Sequence, residues 1–348
     1  IVYSERPVNR KNCNKKYIPS SEEVINDVSY HYSRTINIPV ISALYAIMSS
    51  FFWVLFHVSK DDAVILDTYA LALAVGTVLA CKVKKIPCVA LVTDVPTKSI
   101  FYVDSDKISP KSKFNDWLIS KTDAMILITK QMADIVNKKG KPFIVMEGFG
   151  DVKMAEMDNK LEEKYSKRTV MYTGMLTKAY GIDMLMDGFC RANIPNSQLI
   201  LYGAGPYVDV VQEKANANSN IIYGGTRPND EIVKEQMKAT LLVNPRYTNN
   251  DFTAYSFPGK NLEYMASGTP TLTTNLPGMP EEYKDHLYIL EDETVDGFSE
   301  KLQELFSQAD GELHNMGLRA KQWMLEEKNS IAQTARIIRF IETNFGRQ

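Results

Sequence analysis

Short apolar runs alternate with amphipathic stretches along most of this chain. That is the rhythm of strands buried on both faces and the helices that cover them. Residues 63–66 read as a strand ending at Asp67-Thr68, and a helix is expected over 71–84. The next strand is 87–92, which runs into Thr93-Asp94-Val95-Pro96. Residues 114–121 read as helix, with two further strands at 124–128 and 143–146. The stretch 151–167 is charged and poor in strand formers, and reads as an interdomain linker. Beyond it the alternation restarts. Strands are expected at 169–172, 198–202, 220–223, 240–243 and 271–273, helices at 181–189, 230–238 and 259–266, and an almost wholly helical tail from Phe298. The implied class is α/β with parallel sheets.

One apolar run breaks the pattern. Residues 38–58 carry no formal charge and are about long enough to span a bilayer. Pro39, Ser42, Ser49, Ser50 and His57 interrupt it and a strand follows at once, so it reads as a buried or membrane-surface helix rather than a span. Its aromatic cluster, Phe51, Phe52, Trp53 and Phe56, suits interfacial contact.

At 348 residues the chain exceeds one ordinary core, so two domains are expected, 1–150 and 151–330, with a final helix over 331–348 crossing back to the first. Hydrophobic content of 45% and charged content of 24% are those of a globular protein, and a net charge of −2 excludes general nucleic-acid binding. Cys13, Cys81, Cys88 and Cys190 are scattered, which suggests free thiols in a reducing compartment. His31, His57, His286 and His314 lack metal-ligand spacing, and no metal is expected. No secretory signal opens the sequence, so a cytoplasmic protein is expected, with contact at the inner face of the membrane a candidate partner.

Open parallel sheets bind ligands at the carboxyl ends of their strands, and the loops there hold the candidate chemistry. The sharpest is the segment from Tyr255-Ser256-Phe257-Pro258-Gly259-Lys260 through Glu263 to Met265-Ala266-Ser267-Gly268-Thr269-Pro270. Ser256 lies near a helix start and Pro258 suits the first turn. The free N–H groups there favour an anion, Lys260 adds a positive charge, and Glu263 sits one turn on. Gly268 stops the helix. A carboxylate beside an anion site makes sense if it takes hydroxyl hydrogens, as from a ribose. Further candidates follow other strands: Gly174 and Lys178 after the strand at 169–172, Gly203 and Gly205 after 198–202, Arg227 after 220–223, and Arg246 after 240–243. In the first half Asp94 is the main candidate and Asp67-Thr68 a weaker one; Asp104-Ser105-Asp106 reads as a solvent-exposed loop.

The 255–270 segment resembles family 4 glycosyltransferases of the GT-B fold, especially the bacterial branch that makes surface polysaccharides. Their hallmark is Glu-x7-Glu followed by Met-Ala-x-Gly-x-Pro. Glu263 stands at the second glutamate, which holds the nucleotide ribose in that family, and Tyr255 stands at the first. Around Gly174 the family has an arginine and then a lysine that neutralise the leaving diphosphate; here Met175 and Tyr180 take those places, and Lys178 and Lys260 are the replacement cations by chemistry. Many relatives have a histidine where Thr93 stands. The family's usual first strand and Gly-rich loop have no counterpart here.

The resemblance implies two facing Rossmann-like domains with a cleft between them, the donor on the second and the acceptor on the first. It implies retaining transfer from a nucleoside-diphosphate sugar, with UDP the expected nucleotide, to a saccharide or lipid-linked acceptor in surface polysaccharide or glycan synthesis. No cofactor or metal is obligatory. The alternatives are a sugar-nucleotide epimerase of the same fold, which would need several carboxylates and a histidine near the sugar that are not obvious here, and an inactive, glycosyltransferase-like partner subunit, to which Met175, Tyr180 and Tyr255 give weight.

Overall fold

A computed structural model describes residues 1–5, 17–36, 38–99 and 108–346. Cys13 and the Asp104-Ser105-Asp106 loop lie outside them. The chain divides into two units. Unit 1 comprises residues 1–128, 132–145 and 340–348, and unit 2 comprises 129–131 and 146–339.

Unit 1 opens with short strands, β1 (Val2–Glu5), β2 (Tyr17–Ile18), β3 (Ser21–Ile25), β4 (Val28–Ser33) and β5 (Thr35–Ile36). β4 pairs parallel to β1 and antiparallel to β3, and β2 pairs antiparallel to β5. Then come α1 (Pro39–His57), β6 (Val64–Asp67), α2 (Leu71–Lys84), β7 (Cys88–Val92), α3 (Pro110–Ile119), β8 (Ala124–Leu127), α4 (Met132–Val136) and β9 (Phe143–Val145). β6 to β9 form a parallel sheet in chain order. Val54, Leu66, Val78, Ile86 and Leu118 pack its core.

α1 departs from the buried-helix reading. Among the described residues it is the one helix long and apolar enough to cross a membrane, over Val40–His57 at mean hydropathy 1.7, yet only 22% of that window is buried. Its inward stripe is small: Ser42, Ala46, Ser50 and Val54 are buried. Ser50 Oγ donates to the Leu73 carbonyl of α2 at 3.0 Å. Val40, Ile41, Leu44, Met48, Phe52 and Phe56 face outward, while Phe51, Trp53 and Leu55 are half-buried against the core.

Unit 2 contains β10 (Arg168–Thr173), α5 (Ile182–Ala192), β11 (Ser197–Tyr202), α6 (Val208–Ala217), β12 (Ile221–Gly225), α7 (Asn229–Lys238), β13 (Leu241–Asn244), α8 (Gly259–Ser267), β14 (Thr271–Thr274), β15 (Tyr288–Leu290), α9 (Val295–Ser307) and α10 (Asp310–Glu327), while α11 (Ser330–Phe345) begins in unit 2 and ends in the unit 1 segment 340–348. Its six strands are all parallel, in the order β12-β11-β10-β13-β14-β15. Strand order therefore reverses direction between β10 and β13, the topological switch point at which such sheets bind ligands.

The stretch 151–167 is no free linker. It packs on unit 2 through two short 3-10 turns, Val152–Glu156 and Leu161–Glu163, with Met154 and Asn159 buried. Asn159 Nδ2 donates to the Ser267 carbonyl at 2.8 Å. Lys164 Nζ donates to the carbonyls of Met237 and Ala239 at the end of α7, at 2.8 and 2.9 Å. Asn159 and Lys164 thus hold backbone groups, while most other polar side chains of the segment are exposed.

Candidate active site

Three loops at the carboxyl end of the unit 2 sheet are laced together by backbone hydrogen bonds. Gly174 N–H donates to Tyr202 O at 3.0 Å, Leu176 N–H to Ala204 O at 2.9 Å, and Gly203 N–H to Gly225 O at 2.8 Å. Contact this close demands glycine. At Gly203, with φ +137°, a Cβ would lie 1.8 Å from the Gly174 carbonyl oxygen. These loops form a rigid floor of main-chain atoms.

At the switch point itself the loop after β10 meets the loop after β13. Gly181 (φ +72°) abuts Pro245, whose carbonyl oxygen would sit 2.0 Å from an added Cβ. Beside it, the Arg246 guanidinium lies over the Tyr180 ring at 4.3 Å and nearer its edge of reach to Phe252 at 5.6 Å. Its Nη1 donates to Ser256 Oγ at 3.0 Å. Arg246 is only 9% exposed, its Nε has no hydrogen-bond partner, and among the described residues no carboxylate pairs with it. Burial pulls its pKa below the ordinary value. An arginine nevertheless stays charged, so unit 2 holds a buried cation with no counter-ion of its own at the place where this sheet topology takes a ligand.

A second cation approaches from α8. Pro258 is the residue before the helix rather than part of its first turn. The Lys260 chain passes 3.6 Å from the point where a Cβ on Gly174 would lie. Lys260 Nζ is 3.1 Å from both oxygens of Glu263, and Gln236 Nε2 donates to Glu263 Oε1 at 2.6 Å. Gln236 also donates to Thr173 Oγ1 at 2.9 Å. Asn244 Nδ2 donates to Asn261 Oδ1 at 2.8 Å, and the Tyr264 hydroxyl bonds the backbone of Thr173. A buried polar network thus fixes the start of α8 against the ends of β10 and β13.

The structure gathers Gly174, Gly203, Gly205, Arg246, Ser256, Lys260 and Glu263 around these strand ends. The remaining candidates lie differently. Arg227 is exposed, its guanidinium 5.4 Å from the Tyr202 ring centre and 3.9 Å from Glu231. Lys178 is exposed at the head of a 3-10 turn. Tyr255 ends another such turn, Thr253–Tyr255. Phe257 is buried, its ring 5.0 Å from that of Tyr283, and serves packing. Gln236 is an addition that carries no motif of its own; Asn261 lies within the 255–270 segment, and Tyr180 reads from the sequence only as a lost cation. Among the described residues no group of three or more His, Cys, Asp or Glu side chains is placed to hold a metal ion.

In unit 1, Asp94 lines a pocket of about 320 Å³ with Thr68, Tyr69, Ser99, Lys111 and Asn115, at the carboxyl ends of β6 and β7. Asp67 instead caps a turn, accepting the Tyr69 N–H at 2.9 Å. Burial raises the Asp94 pKa, against a hydrogen bond from Ser99 that lowers it. The folded pKa lies above the unfolded value, so the native state keeps the proton longer and loses stability as pH rises through that window. Asp94→Asn should therefore raise the thermal midpoint at pH 7, as differential scanning calorimetry would read; an unchanged or lowered midpoint would contradict the burial cost.

Residues 167–308 match the family model described as glycosyl transferases group 1. That segment, most of unit 2, is thus similar to group 1 glycosyltransferases. No curated protein sequence matches it. Among solved structures, this chain resembles the apo form of the lipopolysaccharide outer core galactosyltransferase WaaB, at 16% identity over 89% of this chain and 82% of that one, TM-score 0.63. Sucrose-phosphate synthase from Thermosynechococcus elongatus aligns at 13% identity over 96% and 87%, TM-score 0.67. HepE of Anabaena, solved in complex with UDP, aligns at 13% over 87% and 82%, TM-score 0.62. The fold of this protein is thus GT-B, as the 255–270 motif implied.

Proposed function

We propose that this protein is a glycosyltransferase that moves a hexosyl group from a UDP-sugar, with retention at the anomeric carbon, to a saccharide or lipid-linked acceptor in surface polysaccharide or glycan synthesis. The observation that carries the donor reading is the buried, unpaired Arg246 at the unit 2 switch point, joined by Lys260 beside Gly174. In the reaction the bond from the anomeric carbon to the β-phosphate oxygen breaks, a bond to an acceptor oxygen forms, and the acceptor's proton is lost. The leaving diphosphate gains negative charge, and preorganised cations stabilise it where it develops.

This assignment also accounts for the two positions at which the sequence departs from the family. Met175 and Tyr180 stand where relatives carry diphosphate-binding cations. Lys260 runs beside Gly174, next to Met175, and Arg246 stacks on Tyr180 itself. The two cations are supplied from the β13 loop and α8 instead. Glu263, held by Lys260 and Gln236, is oriented to accept ribose hydroxyl hydrogens, and the Gly203 loop gives the nucleotide a flat backbone approach. The UDP assignment draws on HepE, whose structure contains UDP, and the saccharide acceptor on the galactosyltransferase WaaB.

A thermal-shift screen with UDP, GDP, ADP, CMP and NAD, each with and without magnesium, tests the donor class. UDP should raise the midpoint without magnesium, by an amount that grows with concentration over Kd. A response confined to NAD, or none to any nucleotide, would overturn the assignment.

A further inference from the structure

The outward face of α1 is built backwards for a helix in water. Ile41, Leu44, Met48, Phe52 and Phe56 recur at three- and four-residue spacing along one side, each 47–78% exposed. No charged side chain occurs anywhere in the helix. At 19 residues it presents an apolar strip about 28 Å long. A surface helix normally turns such a stripe to the core and its polar residues outward, and an uncovered strip of this size marks an interaction surface.

α3 supplies what the strip lacks. Phe114 and Trp117 are exposed and stacked, ring centres 5.4 Å apart. Lys111 and Lys113 are exposed on the same helix, and Lys121 Nζ lies 4.7 Å from the Trp117 ring centre. Exposed aromatic rings set among lysines are the chemistry of a protein seated at a headgroup layer. Between the two helices runs a groove of about 470 Å³, bounded by the flank of α1 at Ala43 and Ile47, by α2, and by Lys111 and Phe114 of α3. Lys111 and Tyr69 line both this groove and the Asp94 pocket.

We propose that the α1–α3 face of unit 1 docks on an anionic phospholipid bilayer, bringing the Asp94 pocket to headgroup level. The lysines choose the occupant. A neutral apolar partner would leave them unused, and a second copy would set lysine against lysine across an isologous contact. The apolar strip lies among acyl chains while Phe114 and Trp117 sit at the boundary. Where the acceptor is lipid-linked, which rests on the function proposed above, its saccharide reaches the Asp94 pocket without leaving the membrane.

Co-sedimentation of the full chain with vesicles of phosphatidylcholine alone, or mixed with phosphatidylglycerol, tests this. Binding is expected to the mixed vesicles, to weaken with added salt, and to be far weaker to neutral ones. Lys113→Gln and Lys121→Gln should each weaken it about fivefold, and Leu44→Ser/Phe56→Ser should abolish it with circular dichroism unchanged. Two results overturn the proposal. One is no binding to the mixed vesicles, including the case where the chain instead forms a dimer that Phe56→Ser disperses. The other is equal binding to neutral and mixed vesicles that the lysine variants leave unmoved. The UDP thermal shift reads the donor assignment separately, so UDP binding without vesicle binding sinks the docking surface alone. Vesicle binding without a UDP response sinks the donor reading alone.

Discussion

Arg246→Met should lower kcat/KM for transfer by about 10²–10³-fold, the usual loss when one preorganised donor to a developing oxyanion is removed. The same change should leave the free protein as stable as before, or more so. Methionine keeps the length and apolar contact over Tyr180 and Phe252, while the unpaired buried charge disappears. That combination separates a ligand-binding arginine from a structural one. An arginine that held the fold would show the reverse, a fallen thermal midpoint with the activity of the folded fraction preserved. Paired kinetics and calorimetry on the purified variant distinguish the two.

Gly203→Ala should have the largest effect on stability. The added methyl would lie 1.8 Å from a carbonyl oxygen, and both loops are held by main-chain hydrogen bonds, so neither can give way cheaply. The positive φ of +137° adds strain to any side chain. A loss on the order of 3–5 kcal/mol follows, which for a unit of this size lowers the midpoint by about 10 °C. UDP binding should fail with it, because the floor of the site is built from these loops. A midpoint within two or three degrees of wild type, at about 2–4 °C per kcal/mol, would mean that the loops are softer than their contacts indicate.

Much of the fold was legible from residue pattern. Strands of a parallel sheet are buried on both faces and read as unbroken apolar runs, so β7, β8, β10, β11 and β13 lie within a residue or two of their expected places. The helix expected over 71–84 is α2. The strands β2 to β5 were not legible. β3 and β4, Ser-Glu-Glu-Val-Ile and Val-Ser-Tyr-His-Tyr-Ser, are half-exposed and carry polar residues that weaken the apolar signal. β15 is only three residues long. The segment 151–167 reads as a linker because lysines and carboxylates dominate it, and nothing in composition says that Lys164 and Asn159 would cap buried carbonyls.

The site was legible where glycine, charge and strand end coincide, as at Gly174, Gly203, Lys260 and Glu263. It was opaque where function rests on one polar residue inside a helix. Gln236 carries no motif, yet it bonds both Thr173 and Glu263. Tyr180 reads as the loss of a cation, whereas its ring is the platform on which Arg246 rests. Phe257, inside the sharpest motif, packs against Tyr283 rather than facing a ligand.

The central claim is that Arg246 holds the diphosphate of the donor in unit 2. Isothermal titration of wild type and Arg246→Met, each with UDP and with uridine, tests it most directly. UDP affinity should fall by about 10²-fold in the variant, as expected for loss of a charge-assisted contact to an ion, while uridine affinity stays unchanged. Equal UDP affinity in the two proteins would contradict the account and remove the diphosphate from the switch point.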